Sequence, residues 1–200
     1  MTVEFRGGRG TEVLAWLREF SDLGYCLTLT RERSAEQVMR AYGIDPASAR
    51  RLPLDDLKQV DPTGELRGTV VRFGQSEGLG FSVEYIGTTG GSDPVLGRLS
   101  AGTETVTLTA TADGMVWFGH ACDGVELSTF EPHAPDHTRN GPGPHQDFAE
   151  PMQQLADWYE EYEPDRTKEN LLGLIHERLG GLPSPDVLDG PLLTAFLPED

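Results

Sequence analysis

Two hundred residues with 33 acidic against 16 basic side chains, a formal charge of −17, two cysteines and 37% hydrophobic content leave room for one principal core. Such a charge repels phosphate backbones and speaks against nucleic-acid binding. No apolar run approaches the ~18 residues of a membrane span, and the opening MTVEFRGGRG lacks a secretory signal, so a soluble cytoplasmic protein is expected.

In chain order, residues 11–20 place Leu14, Trp16, Leu17 and Phe20 at helical spacing after Thr11, which predicts a short amphipathic helix. Residues 25–30 set Tyr25, Leu27 and Leu29 against Cys26, Thr28 and Thr30, the period-two pattern of a strand with one buried face. Residues 34–43 open with Ser34 and Gln37 as a capping box and stop on Gly43. The proline-bearing stretch 44–65 reads as an irregular connection with one helical turn at 54–57. From residue 66 five short β-prone runs follow, at 66–73, 79–86, 103–112, 115–121 and 124–131, and a short helix interrupts them at 94–100. They predict an antiparallel meander.

The first hairpin carries GQSEG, 74–78, which matches the G-x-S-x-G pattern of a hydrolase nucleophile elbow. An elbow needs a helix after the serine, and the alternation of Leu79, Phe81, Val83 and Tyr85 predicts a strand there. Ser76 is therefore read as a turn residue. Asp113-Gly114 and Asp123-Gly124 both fit two-residue type I′ turns. That register puts Trp117, Gly119 and Ala121 with Val106, Leu108 and Ala110, and puts Phe118, His120 and Cys122 with Thr107, Val125 and Leu127. Apolar residues on both sides place the 115–122 strand in the middle of a covered sheet.

Residues 132–147 hold too many prolines for regular structure. A helix at 151–163 is expected next, with Met152, Leu155, Tyr159 and Tyr162 as its stripe. Another, capped by Thr167, carries Leu171, Leu174, Ile175 and Leu179 and ends on Gly180-Gly181. A last short helix is read from Asp189, burying Leu192, Leu193 and Phe196. Residues 147–200 hold 13 acidic and 3 basic side chains, a net −10.

Among chemical candidates, His120 and Cys122 project side by side from one strand face, as a ligand pair or a thiol–imidazole pair would need. Their apolar neighbours favour a core role, and a pocket beside them, or under the 132–147 loop, is the alternative. His133, His137, His145 and Asp136 lie in that proline-rich loop, where prolines forbid the helical spacing of a zinc pair, so no metal is expected. Cys26 and Cys122 read as buried free thiols, with a bridge between them left open. Glu84, Glu126 and Glu131 read as solvated surface charge, because nothing marks one of them as buried. GTTGG, 87–91, lacks the lysine of a phosphate loop and reads as a mobile turn. His176 reads as a surface residue. On the 151–163 helix, Asp157, Glu160 and Glu161 cover one side and Trp158 stands at the edge of the apolar stripe, a combination that seats a basic protein surface.

The segments LGYCLTLTRERSAEQVMRAYG (23–43), GFSVEYIG (80–87) and LGRLSAGTETVTLTATADGMVWFGHACDGVELSTFEP (96–132) resemble an actinobacterial family known as a domain of unknown function, over residues 12–140. The shared marks are a cysteine-bearing first strand, the helix after it and a DG…FEP hairpin. Where many members carry Trp before the second central strand, this chain has Leu79-Gly80-Phe81. The resemblance implies a fold and is silent on activity.

The expected architecture is α+β, an antiparallel meander of five to six strands covered by N-terminal and C-terminal helices. Residues 1–146 form the core domain and 147–200 an acidic helical segment. The expected role is a non-enzymatic protein-interaction factor of accessory, regulatory or immunity type. No cofactor is expected, and the partner is a protein, plausibly basic. A small enzyme or ligand-binding domain is the alternative.

Overall fold

The structure is a computed structural model that describes residues 8–20, 23–60, 69–131, 139–140 and 164–197. It is an α+β fold on an antiparallel sheet. The elements run α1 (Arg9–Leu17), β1 (Tyr25–Arg31), α2 (Ala35–Ala41), β2 (Arg50–Leu52), α3 (Leu54–Val60), β3 (Val70–Ser76), β4 (Leu79–Tyr85), α4 (Asp93–Ser100), β5 (Glu104–Ala110), β6 (Val116–Cys122), β7 (Val125–Phe130), β8 (Arg139–Asn140), α5 (Pro164–Leu179), α6 (Pro185–Asp189) and β9 (Leu192–Phe196).

Among the described residues nine strands form one sheet in the order β2-β9-β3-β4-β1-β5-β6-β7-β8, so the expected five to six is corrected. β2 and β8 are too short to show a period. β9 replaces the helix expected from Asp189, since the helical turn lies earlier, at Pro185–Asp189, capped by the Ser184 hydroxyl. Nor is the sheet a simple meander. The chain leaves β4 through a 3₁₀ turn and α4, and β1 fills the gap, pairing with β4 on one side and β5 on the other.

Local signals explain much of this. Ser34 accepts from the Gln37 amide while the Gln37 side chain accepts from Ser34 N–H, which closes the capping box of α2. Glu77 and Gly78 take φ 52° and 79°, and Asp123 and Gly124 take 53° and 80°, as two-residue hairpin turns require. Ser76 thus sits at a hairpin with β4 directly after it. α5 begins at Pro164, so Thr167 lies inside the helix rather than capping it. Its stripe Leu171, Leu174, Ile175 and Leu179 is buried, and Gly180 at φ 81° ends it.

Alternation along the strands gives the sheet two unlike faces. The first is apolar: Leu27, Leu29, Phe81, Val83, Val106, Leu108 and Phe118 form one cluster with residues of α1, α5 and α6. The second holds Val71, Phe73, Leu193 and Ala195 in a smaller cluster with α2 and α4, and beside it a polar band. That band comprises Cys26, Thr28, Thr30, Ser82, Glu84, Thr105, Thr107 and Thr109, all buried. The strand at 25–30 is therefore buried on both faces, and not on one as its alternation suggested.

The β5–β6 connection corrects the expected face assignment. Ala110 pairs with Val116 and Thr109 with Trp117, so residues 111–115 make a longer turn in which Gly114 alone has positive φ. A one-residue slip exchanges every side chain between faces. Phe118, His120 and Cys122 accordingly lie with Val106 and Leu108 on the apolar face, while Trp117, Gly119 and Ala121 lie with Thr105, Thr107 and Thr109. Opposite the His120–Ala121 step of β6, a bulge in β7 pairs His120 with Ser128 rather than Leu127.

Candidate functional site

The two cysteines are free thiols. Cys26 belongs to the polar face and Cys122 to the apolar one, so the sheet stands between them and no bridge forms. His120 is 2% exposed, with its Nε2 at 3.0 Å from Glu104 Oε1. Arg31 Nε donates to the other Glu104 oxygen at 2.7 Å, and another Arg31 nitrogen donates to the Arg178 carbonyl at the end of α5. The His120 contact, then the Arg31 charge, hold the Glu104 carboxyl below its ordinary range. Burial first, then the Asp123 and Glu104 charges, raise the Cys122 thiol. The arrangement ties β1, β5 and β6 to α5, and it keeps the thiol protonated.

Glu84 is the residue sequence reasoning misplaced. It is 0% exposed, not solvated. Burial raises its carboxyl, opposed by hydrogen bonds from the Gly90 amide, the Tyr42 hydroxyl and the Thr89 amide. Tyr42 Oη donates to Glu84 Oε1 at 2.9 Å and lies 2.8 Å from Ser82 Oγ, and Thr89 N–H donates to Oε2 at 2.9 Å. The GTTGG segment is thus a 3₁₀ turn, Thr89–Gly91, folded down onto a buried carboxylate, in place of the mobile turn expected. A Cβ on Gly90 would stand 2.2 Å from Tyr42 Oη and 2.4 Å from Thr28 Oγ1, so only glycine lets the turn approach. A glycine-rich turn close behind a carboxylate-bearing strand was the available signal.

Beside this network the polar face opens. Between the Thr88–Asp93 segment, Leu96 of α4 and strands β5 to β7 lies a cleft of about 580 Å³. Its walls include Thr107, Thr109, Trp117, Gly119, Thr129 and two carboxylate residues, Asp93 and Glu126. Among the described residues that line it there is no Lys or Arg. Thr109 Oγ1 donates to Cys26 Sγ at 3.3 Å behind the wall, and burial pushes that thiol up to about 12, which makes it inert. Thr107 differs. It is 3% exposed and its side chain stands at the cleft wall. The hydroxyl occupies the space over Gly119, where a Cβ would approach it to 2.7 Å.

His120 and Cys122 lie on the opposite face of β6 from this cleft. Glu126, expected at the surface, is exposed and stands at the cleft wall; Glu131 is buried; His176 is exposed. Asp157, Trp158, Glu160 and Glu161, and the loop residues His133, Asp136, His137 and His145, lie outside the described residues. Among the described residues no three His, Cys, Asp or Glu gather as a metal site, and no helix is long and apolar enough to cross a membrane.

Fold and cleft together define an α+β protein built on one antiparallel sheet with a cleft on one face. The chain belongs to a family of unknown function, DUF6461, whose model matches residues 12–170. The match runs past the 12–140 span of the resemblance and into α5, but stops short of β9, which pairs with both β2 and β3. No curated protein and no solved structure matches the chain.

Proposed function

We infer that the chain is a binding protein whose site is the cleft on the polar face, and that it takes a small ligand there. The observation that supports this reading is the cleft itself, about 580 Å³, with Trp117 and the hydroxyl-bearing Thr107, Thr109 and Thr129 in its walls. Pockets of this size, with an aromatic wall and a few convergent polar groups, suit small molecules. The groups that titrate behind the wall, Cys26 and Glu84, are closed off, so the reading is capture rather than catalysis. A fragment screen by ligand-observed NMR tests it. Hits lost on Thr107→Val or Trp117→Ala support the site; hits that ignore both substitutions refute it.

A second reading, the protein-interaction factor, rests on the net −10 of residues 147–200. In this reading Asp157, Trp158, Glu160 and Glu161, which lie outside the described residues, are the acidic and aromatic groups that meet a basic protein. Charge reversal at Glu160 and Glu161 is then expected to abolish capture of that partner, and unchanged capture refutes the assignment.

A further inference from the structure

We propose that the Thr89–Gly91 turn is a proton-dependent latch on the cleft rim, lying closed on Glu84 while that carboxyl holds a proton and lifting once it ionises. The device does not depend on what the cleft binds. Thr88, Gly91, Ser92 and Asp93 all line the cleft, so movement of the turn changes its shape. Closure seals the carboxyl away from water. Glu84 is 0% exposed, and the chain crosses directly over it: a Cβ on Gly87 would stand 2.7 Å from Oε2, and one on Gly90 2.8 Å from Oε1. An ionised carboxylate sealed in this way loses its hydration, which the Thr89 and Gly90 amides and the Tyr42 hydroxyl offset only in part. The protonated group fits without breaking either amide bond. Its O–H can donate to Tyr42 Oη, which can in turn donate to Ser82 Oγ at 2.8 Å, because a hydroxyl both gives and accepts.

The described groups packed around Glu84 hold their protons. Burial first, then the Glu84 charge, pushes Tyr42, at the end of α2, well above its ordinary value and Cys26, its partner on β1, up to about 12. Val71, its partner on β3, does not titrate. On α4, Asp93 lies at the cleft, and Arg98 donates through Nε to the Ala41 carbonyl. Among these groups Glu84 is thus the one that faces the turn and changes charge below the tyrosine and thiol range. The turn is also built to move as a unit. Gly91 N–H donates to Thr88 O and Ser92 N–H to Thr89 O, so its own bonds survive lifting. The chain enters it from Ile86, an exposed β-branched residue at φ 66°, a strained conformation that weakens closure.

Amide hydrogen exchange of the ¹⁵N-labelled full chain between about pH 5 and about pH 8, corrected for intrinsic rates, tests the latch without any ligand. The protection of Thr89 and Gly90 is expected to fall as pH rises, by up to about tenfold per unit while Glu84 ionises. It should ignore low urea, since lifting the turn exposes little surface. Leu108 of β5, in the middle of the sheet, opens with the whole fold and should exchange faster in urea. In Glu84→Gln, neutral at every pH, the protection of Thr89 and Gly90 should stay constant. Wild-type protection of these two amides that is constant or rises with pH overturns the latch. The same fall in Glu84→Gln overturns it too, as does exchange that accelerates with urea in step with Leu108.

Discussion

Glu84 links the buried band to the cleft rim, because its carboxylate receives the amides of Thr89 and Gly90 in the turn that leads into Ser92 and Asp93. Its folded-state pKa is raised, so the native protein binds more protons than the unfolded chain between the ordinary glutamate value and the raised one. Stability therefore falls as pH rises through that window, and the loss is complete above it. Glu104 acts in the opposite sense, since its lowered value adds stability that disappears as pH falls. The comparison that isolates Glu84 is wild type against Glu84→Gln across pH by urea denaturation. The stability difference should move in favour of the glutamine variant as pH rises from the ordinary carboxylate range. A difference independent of pH contradicts a buried, titrating Glu84. The two thiols give another residue-scale check. Cys26 is fully buried and Cys122 half-buried, so a thiol reagent should label one site in the native protein and two in denaturant.

Elements here depend on how closely the backbone approaches across the faces. Gly90 seats the 3₁₀ turn on Tyr42, Thr28 and Glu84, and an alanine there forces those buried groups apart. Gly90→Ala is expected to cost about 1–3 kcal/mol and to expose the Thr89 and Gly90 amides to hydrogen exchange. Ser34→Ala removes one arm of the α2 capping box and should cost about 1 kcal/mol without altering the cleft, read as an unchanged Trp117 environment. The capping box, the α4 helix and the hairpins at 77–78 and 123–124 were all legible, because caps and positive-φ turns are local in sequence. The 113–114 turn was not. Asp-Gly suggested two residues, whereas Thr111 N–H donates to Met115 O and makes the turn longer. One sign of the slip was readable: Val106, Leu108 and Ala110 match Val116 and Phe118 as an apolar face better than they match Trp117, Gly119 and Ala121.

Across the whole molecule, the sheet is closed on one side by the end of the chain. β9 pairs with β3 and β2, and Arg72, buried in β3, donates to the carbonyls of Leu52, Leu188 and Gly190, which binds α6 and β2 to the sheet. Removal of residues 181–200 takes away two of those acceptors and leaves a buried cation undersatisfied, a loss of several kcal/mol. The truncated chain should show no cooperative thermal transition by circular dichroism, and a native-like transition contradicts this account. No periodic signal announced β9, since five residues following a proline read equally as helix, and its identity comes from pairing with a strand some 120 positions earlier. The same long-range logic hid Glu84 and the threonine row. Alternating threonines look like a solvated face until two further layers are known to cover them.

The central claim is that ligand capture belongs to the threonine face and not to the face that carries His120 and Cys122. The most direct measurement is a map of backbone amide shifts in the ¹⁵N-labelled protein on adding the tightest fragment from the screen. This account predicts shifts centred on Thr107, Thr109, Gly119 and Thr129, abolished by Thr107→Val and untouched by Cys122→Ser. Shifts centred on Glu104 and Arg31, abolished by Cys122→Ser, would contradict it.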